Sequence, residues 1–288
     1  MGTDYTYLST LRIFTNGHIV KRINCVEHHL SRRKRKKLPS IKILEKDSAN
    51  IIYSITSTHS WGIKIHYNNI SFWASLFFIF GSLLFSLGAL FSMLEFEMSI
   101  GLVYFYGSIF FTIGAYLQFL ETINRIDCSH SKYIYLFRFL PYSTSYISTL
   151  SQLCGAILFN FNTWFSMTNF SNLYSKNAYI WSPDFIGSLL FMVSAIFLLL
   201  ESYHEKIKIR PSYLPWWIIW VNFWGCVMFL FSSFFSIYLP ISLLYSRLES
   251  LIASGSLLIG SLLFLLSSYL LCIELNEESI QLKKLSNI

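Results

Sequence analysis

Six stretches of the chain are almost continuously apolar, and polar segments separate them. They lie at 72–94, 101–120, 147–167, 184–200, 215–239 and 251–273. Each stretch is close to the roughly 20 residues that a helix needs to cross ~30 Å of hydrocarbon. None carries Lys, Arg, Asp or Glu in its central part. Because no water can satisfy the backbone there, the pattern predicts an all-α membrane protein with six transmembrane helices.

A short motif recurs once in each apolar stretch. It consists of a glycine, a small residue and, three positions after the small residue, a phenylalanine. The copies begin at Gly81, Gly107, Gly155, Gly187, Gly225 and Gly260, and end at Phe85, Phe111, Phe159, Phe191, Phe229 and Phe264. Three copies read GSLLF. A repeat of this kind indicates that one unit was duplicated, and the pairing of stretches predicts three antiparallel hairpins.

In the second, fourth and sixth stretches the motif is longer. Small residues follow 7 and 8 positions after the glycine, as at Gly114, and a glutamate follows after 14. Positions 7 and 14 apart lie within about 40° of each other on a helix. Small residues let helices pack closely in lipid, so this face predicts helix contacts, with a substrate path as the alternative. The predicted contact points are Gly81, Gly107, Gly114, Gly155, Gly187, Gly225 and Gly260. The phenylalanines are expected to tolerate leucine better than the glycines do.

The three glutamates in register are Glu121, Glu201 and Glu274. A glutamate at a helix C-terminus opposes the helix dipole, so its recurrence suggests a reason for keeping it. One hypothesis is a ring at the cytoplasmic end of the bundle that binds a cation or a basic segment. The simpler interpretation is that each glutamate reaches water or pairs with a nearby base, such as Arg125 or Lys206.

The distribution of charge predicts the orientation in the membrane. Only 13% of the 288 residues are charged, and 20 of the 22 Lys and Arg fall on one side of the predicted spans. Lys176 and Arg247 are the two on the other side. The positive-inside rule then places both termini in the cytoplasm. The predicted segments are a basic N-terminal region 1–70, hairpins 71–122, 147–202 and 214–275, and a cytoplasmic tail 276–288.

A run of basic residues precedes the first helix. It comprises Arg32, Arg33, Lys34, Arg35, Lys36 and Lys37. On the cytoplasmic side such a run is attracted to anionic lipid headgroups, at about 1 kcal/mol for each base near the surface. The alternative is a solvated segment that only sets the topology. The net charge of +7 follows from this asymmetry and requires no nucleic-acid partner.

Little in the sequence indicates a chemical site. Cys25, Glu27, His28 and His29 lie close together, but no CxxC or HExxH spacing occurs, so no metal or other cofactor is expected. The polar residues inside the predicted spans are Gln152, Asn160, Asn162 and Asn222. Such residues usually hydrogen-bond between helices, although they also line pathways in transporters. Catalytic residues are not predicted.

The first hairpin resembles a known family. Trp73, the run from Phe80 to Phe85, and Gly107 to Phe111 followed by the segment 114–121 are similar to the YrhK-like domain, a two-helix membrane domain with a GS-x-x-F motif on each helix. The similarity is strongest over 72–125 and extends loosely to 274. The resemblance implies a multi-pass membrane protein, and it implies no activity or ligand.

The sequence therefore favours a non-catalytic scaffold or assembly subunit. Its expected partners are the lipid bilayer, anionic headgroups and other copies of the chain in a homo-oligomer. The alternative is a small-molecule transporter or channel at the interface of the three hairpins. A continuous polar cavity is expected for transport, and a bundle filled with phenylalanine for a scaffold.

Overall fold

Six long helices make up the main body of the protein. A computed structural model describes residues 18–22, 25–29, 41–46, 50–52, 65–96, 100–125, 135–141, 143–202, 214–238, 240 and 243–285. The helices are α1 (Ile70–Met93), α2 (Ile100–Arg125), α3 (Thr144–Ser166), α4 (Ser182–Ser202), α5 (Leu214–Phe235) and α6 (Leu243–Leu285). α6 has 43 residues and continues into the region predicted to be a tail.

Four short strands precede the helices. They are β1 (His18–Arg22), β2 (Cys25–His29), β3 (Ile41–Lys46) and β4 (Asn50–Ile52), and they form an antiparallel sheet in the order β1-β2-β3-β4. The register places His18 opposite His29 and Cys25 opposite Leu44. The hydrophobic pattern does not predict this sheet, because strands of three to six residues give a weak signal beside six long apolar runs. The all-helical prediction applies to the part after residue 69.

Local sequence explains where several helices begin. The Asn69 side chain accepts a hydrogen bond from the Ser71 N–H at 3.0 Å, and the Ser143 hydroxyl accepts one from the Tyr146 N–H, which caps α1 and α3. A short helix (Leu173–Lys176) and a π turn (Asn177–Trp181) lead into α4. Pro183 has no N–H to donate to the preceding turn, which accounts for irregular helix at this position.

The six helices close into a ring. α1 packs on α2, α3 on α4 and α5 on α6, and further contacts join α2 to α3, α4 to α5 and α6 back to α1. Each helix therefore has two neighbours, and one face of each helix points toward a common axis. This axis holds the main hydrophobic core of the described residues.

Five of the helices are long and apolar enough to cross a membrane. These candidate spans have mean hydropathies between 1.6 and 2.2. α3 has 23 residues, which is sufficient length, but it is not among the five. Its polar residues bond to its neighbours: the Asn160 amide donates to Thr112 at 2.9 Å, and the Ser148 hydroxyl donates to the Ser194 carbonyl at 2.9 Å. The five apolar helices indicate a multi-pass integral membrane protein.

Candidate functional site: the bundle axis and its polar cavity

The motif glycines lie where paired helices approach most closely. Gly155 on α3 and Gly187 on α4 face each other, and a Cβ at Gly155 would lie 2.9 Å from the Gly187 carbonyl oxygen. A Cβ at Gly81 would lie 2.7 Å from the Phe111 ring, and one at Gly260 would lie 2.5 Å from the Phe229 ring. Side chains larger than hydrogen do not fit at these points without movement. The geometry supports the predicted packing role.

A second close approach occurs seven residues further along α2, α4 and α6. A Cβ at Gly114 would lie 3.2 Å from the Ala74 carbonyl oxygen. At the corresponding position of α4, Ser194 accepts the hydrogen bond from Ser148 described above. On α6, Ser267 donates to the Ile218 carbonyl at 3.0 Å. A small residue of α2, α4 or α6 therefore lies against the partner helix at equivalent places in all three helix pairs.

The motif phenylalanines form the centre of the ring. Their relative exposure lies between 1% and 7%. The six side chains are Phe85, Phe111, Phe159, Phe191, Phe229 and Phe264. Neighbouring rings have centroid separations from 4.9 to 6.4 Å, including contacts between different helix pairs. We call this cluster the phenylalanine layer. The expectation that these residues tolerate leucine rested on an apolar surrounding and did not include these contacts, in which each ring touches at least three others of the layer.

Hydroxyl groups join one helix pair to the next. In three places the hydroxyl belongs to the small residue after the motif glycine. The Ser108 and Thr163 hydroxyl oxygens are 3.0 Å apart, and those of Ser261 and Ser86 are 2.8 Å apart. Ser188 donates to the Phe229 carbonyl at 3.4 Å. These bonds cross the seams α2–α3, α6–α1 and α4–α5. Close glycine contacts thus hold the pairs, and hydrogen bonds hold the ring.

The three glutamates are buried in the C-terminal parts of α2, α4 and α6. Their relative exposures are 4% for Glu121, 0% for Glu201 and 0% for Glu274. Ser71 of α1 donates a hydrogen bond to Glu121 Oε2 at 2.8 Å. Burial excludes the interpretation that they extend into water. The hypothesis that they form a joint ring stays a prediction.

A cavity of about 350 Å³ opens at the end of the bundle opposite these glutamates. Its floor includes Phe85, Phe159 and Phe229 of the phenylalanine layer. Further aromatic walls come from Tyr104, Trp181, Phe235 and Tyr238, and hydroxyl groups come from Ser92, Ser166, Ser232, Ser236 and Ser254. The cavity therefore combines an aromatic base with a polar upper wall.

Asp184, on the first turn of α4, lines this cavity. The Asn162 amide donates to Asp184 Oδ1 at 2.7 Å, and the Ser236 hydroxyl lies 3.3 Å from Oδ2. The carboxyl group thus connects α3, α4 and the end of α5.

Sequence reasoning missed Asp184, the first residue of the predicted stretch 184–200, because no motif marks it. It also treated Asn162 as one of several polar residues within a span, without a partner. The two residues come together because the chain stays helical from Asn177 through Pro183 into α4. This places Asp184 at the same height in the bundle as the end of α3. No spacing rule reveals that pairing, since the two residues lie on different helices.

Other candidate residues are not brought into a site. The basic run Arg32 to Lys37 lies outside the described residues. Cys25, Glu27, His28 and His29 all lie on β2. Within the described part of the chain, no group of three or more His, Cys, Asp or Glu side chains is arranged to hold a metal ion.

Comparisons with known proteins give no relative for this fold. No family model matches the sequence, and no curated protein or solved structure matches it. The resemblance to the YrhK-like domain therefore stays a prediction based on the motif residues. The described helices define the broad class, which is a helical integral membrane protein.

Proposed function

We propose that the protein is a non-catalytic membrane scaffold or assembly subunit. In this proposal all six helices cross the bilayer as three antiparallel hairpins descended from one duplicated unit, with both termini in the cytoplasm. The observation that carries the proposal is the phenylalanine layer, because six touching rings occupy the axis along which a substrate would have to pass. The polar cavity ends on this layer rather than continuing as a path.

Assignment of α3 as a sixth span rests on its position in the ring. It packs between α2 and α4, both of which are apolar enough to span. Its polar residues bond to those neighbours, so they lower its hydropathy without facing lipid. Five spans would leave the two termini on opposite sides, whereas the distribution of basic residues favours the same side.

The topology predicts different labelling of two exposed tyrosine positions. Tyr174 precedes α4 and Tyr67 precedes α1, and they are 78% and 69% exposed. In a variant without the five native cysteines, Tyr174→Cys should react with an impermeant thiol reagent added to intact cells, and Tyr67→Cys should react only after permeabilisation. Reaction of Tyr67→Cys in sealed cells would refute the proposed orientation.

A flux experiment separates the scaffold from the alternative transporter or channel. Purified protein in liposomes should release entrapped potassium ions and a small neutral dye no faster than protein-free liposomes, because the phenylalanine layer closes the axis. A pore-forming peptide serves as the positive control for each vesicle preparation. Release that rises with the amount of folded protein would contradict the scaffold and favour a channel.

Two partner proposals accompany the scaffold. Arg32 to Lys37 are proposed to contact anionic lipid headgroups, since the proposed topology puts them on the cytoplasmic side. A homo-oligomer in the bilayer is also proposed, with contacts between outward apolar faces. The large exposed side chains on those faces include Leu83, Leu87 and Leu262.

A further inference from the structure

We infer that the cavity above the phenylalanine layer binds a small organic ammonium ion. This inference adds a ligand site to the proposed scaffold and does not depend on transport. Four observations support it: the volume of the cavity, its aromatic walls, the absence of basic side chains from its lining, and the position of Asp184.

The size of the cavity suits a small molecule. Its volume of about 350 Å³ lies at the lower end of the roughly 300–1,000 Å³ range of ligand pockets. Ser250 and Glu249 lie at its rim, where Ser250 is exposed. A ligand can therefore enter from the end of the bundle, and the floor of phenylalanine rings limits how deep it goes.

The charges of the lining favour a cation. Among the described residues, its lining contains the acidic residues Asp184 and Glu249 and no Lys, Arg or His. Lys176 is near the rim, where its ammonium group lies 5.5 Å from the centre of the Tyr238 ring. A cleft whose charged side chains are of one sign attracts ions of the opposite sign, so these two carboxylates favour a cation.

The walls distinguish an organic ammonium from a metal ion. Hard metal ions need several oxygen ligands around them, and no such group of acidic or histidine side chains occurs among the described residues. The aromatic rings of Tyr104, Trp181 and Phe229, which line the cavity, instead suit a soft, poorly hydrated cation. An ammonium group can then lie near Asp184 while its carbon atoms contact the rings.

The geometry also holds Asp184 in a fixed direction. Its two oxygen atoms are hydrogen-bonded from Asn162 on α3 and Ser236 beyond α5, at 2.7 and 3.3 Å. A carboxylate accepts more than one hydrogen bond at each oxygen, so these two bonds leave capacity for an ammonium donor. Residues of α3, of α4 and of the segment after α5 therefore preorganise the site.

Binding to full-length protein in lipid nanodiscs tests this inference. Choline and phenethylammonium are the charged probes, and 3,3-dimethylbutan-1-ol is the uncharged carbon analogue of choline. We expect the charged probes to bind at least about tenfold more tightly than the neutral analogue by calorimetry. Failure of both ammonium probes to bind, or equal binding of the neutral analogue, would overturn the inference. Competition by sodium chloride alone at equal concentration would also overturn it, because it indicates an inorganic cation site.

Variants locate the binding. Asp184→Asn should weaken choline binding by about tenfold or more, whereas Glu95→Gln should leave it unchanged. The Glu95→Gln substitution removes the same charge at the same end of the bundle. The Glu95 side chain, however, is 68% exposed and pairs with Arg247 outside the cavity. Thermal unfolding establishes that both variants are folded. Unchanged affinity in folded Asp184→Asn would overturn the site.

A second measurement decides the question if Asp184→Asn does not fold. Ser250→Cys places a thiol at the rim, and Tyr174→Cys places one outside the cavity. Choline should slow the modification of Ser250→Cys by a thiol reagent and leave Tyr174→Cys unaffected. Equal rates with and without choline at Ser250→Cys would contradict binding in this cavity.

Discussion

Gly155→Leu should leave little folded protein in detergent, and Gly155→Ala should already lower the free energy of unfolding by about 1–3 kcal/mol, as overpacking does elsewhere. The reason is that the first added carbon meets the Gly187 carbonyl oxygen at 2.9 Å, and backbone cannot rotate away as a side chain can. The two helices must therefore separate. Unfolding in a denaturing detergent series measures the effect.

Gly255 on α6 provides the matched control. Among the described residues, the Met93 Cε atom alone would lie within reach of a Cβ there, at 4.0 Å, which is ordinary contact. Gly255→Ala should therefore be neutral or slightly stabilising, since alanine is the better helix former. Equal stability of Gly155→Ala and Gly255→Ala would mean that the motif glycines are not close-contact points.

The second large effect is expected in the phenylalanine layer. Phe229→Ala should destabilise the bundle by about 2–3 kcal/mol, somewhat below the 3–5 kcal/mol found in soluble cores. The value is lower because moving an apolar side chain from lipid to protein gains little, so the loss is mainly one of packing. Phe229 contacts Phe264 at 4.9 Å and three other rings of the layer.

Phe231, two positions along α5, is the control for this change. It is 46% exposed on the outer side of the ring, where lipid takes the place of protein contacts. Phe231→Ala should change the unfolding transition little. If Phe231→Ala lowers the free energy of unfolding as much as Phe229→Ala does, the phenylalanine layer does not stabilise the bundle more than the outer surface does. That result would contradict a closed ring packed around the layer.

Much of the helical fold follows from the sequence. The apolar runs predicted the positions of the six helices, because length and absence of charge suffice in a membrane. The register of the glycine motif also indicated a packed face. The periodicity of the motif does not show whether that face of each helix points toward a neighbouring helix or toward the axis of the whole bundle. The phenylalanine four positions after each glycine lies on the same side, and only the closure of the ring brings six such rings together.

The candidate site was less predictable. Asp184 and Asn162 belong to different helices, and their contact depends on the continuous helix across Pro183. The burial of Glu201 and Glu274 was also missed, since their position at the end of an apolar run resembles that of a solvent-exposed residue. The short strands of the N-terminal segment escaped notice because local pairing, not long apolar runs, defines them.

A disulfide between α1 and α6 tests the closed ring most directly. Ser86 and Ser261 are 175 residues apart in sequence, but their hydroxyl oxygens are 2.8 Å apart. In a variant without native cysteines, Ser86→Cys with Ser261→Cys should form an intramolecular disulfide on oxidation in membranes. Leu83→Cys with Leu262→Cys is the control, because both residues are exposed on the outer surface of the same helices. Cross-linking of the buried pair within one chain and not of the outer pair is the predicted result. Absence of the buried cross-link in folded protein would contradict the closed six-helix ring.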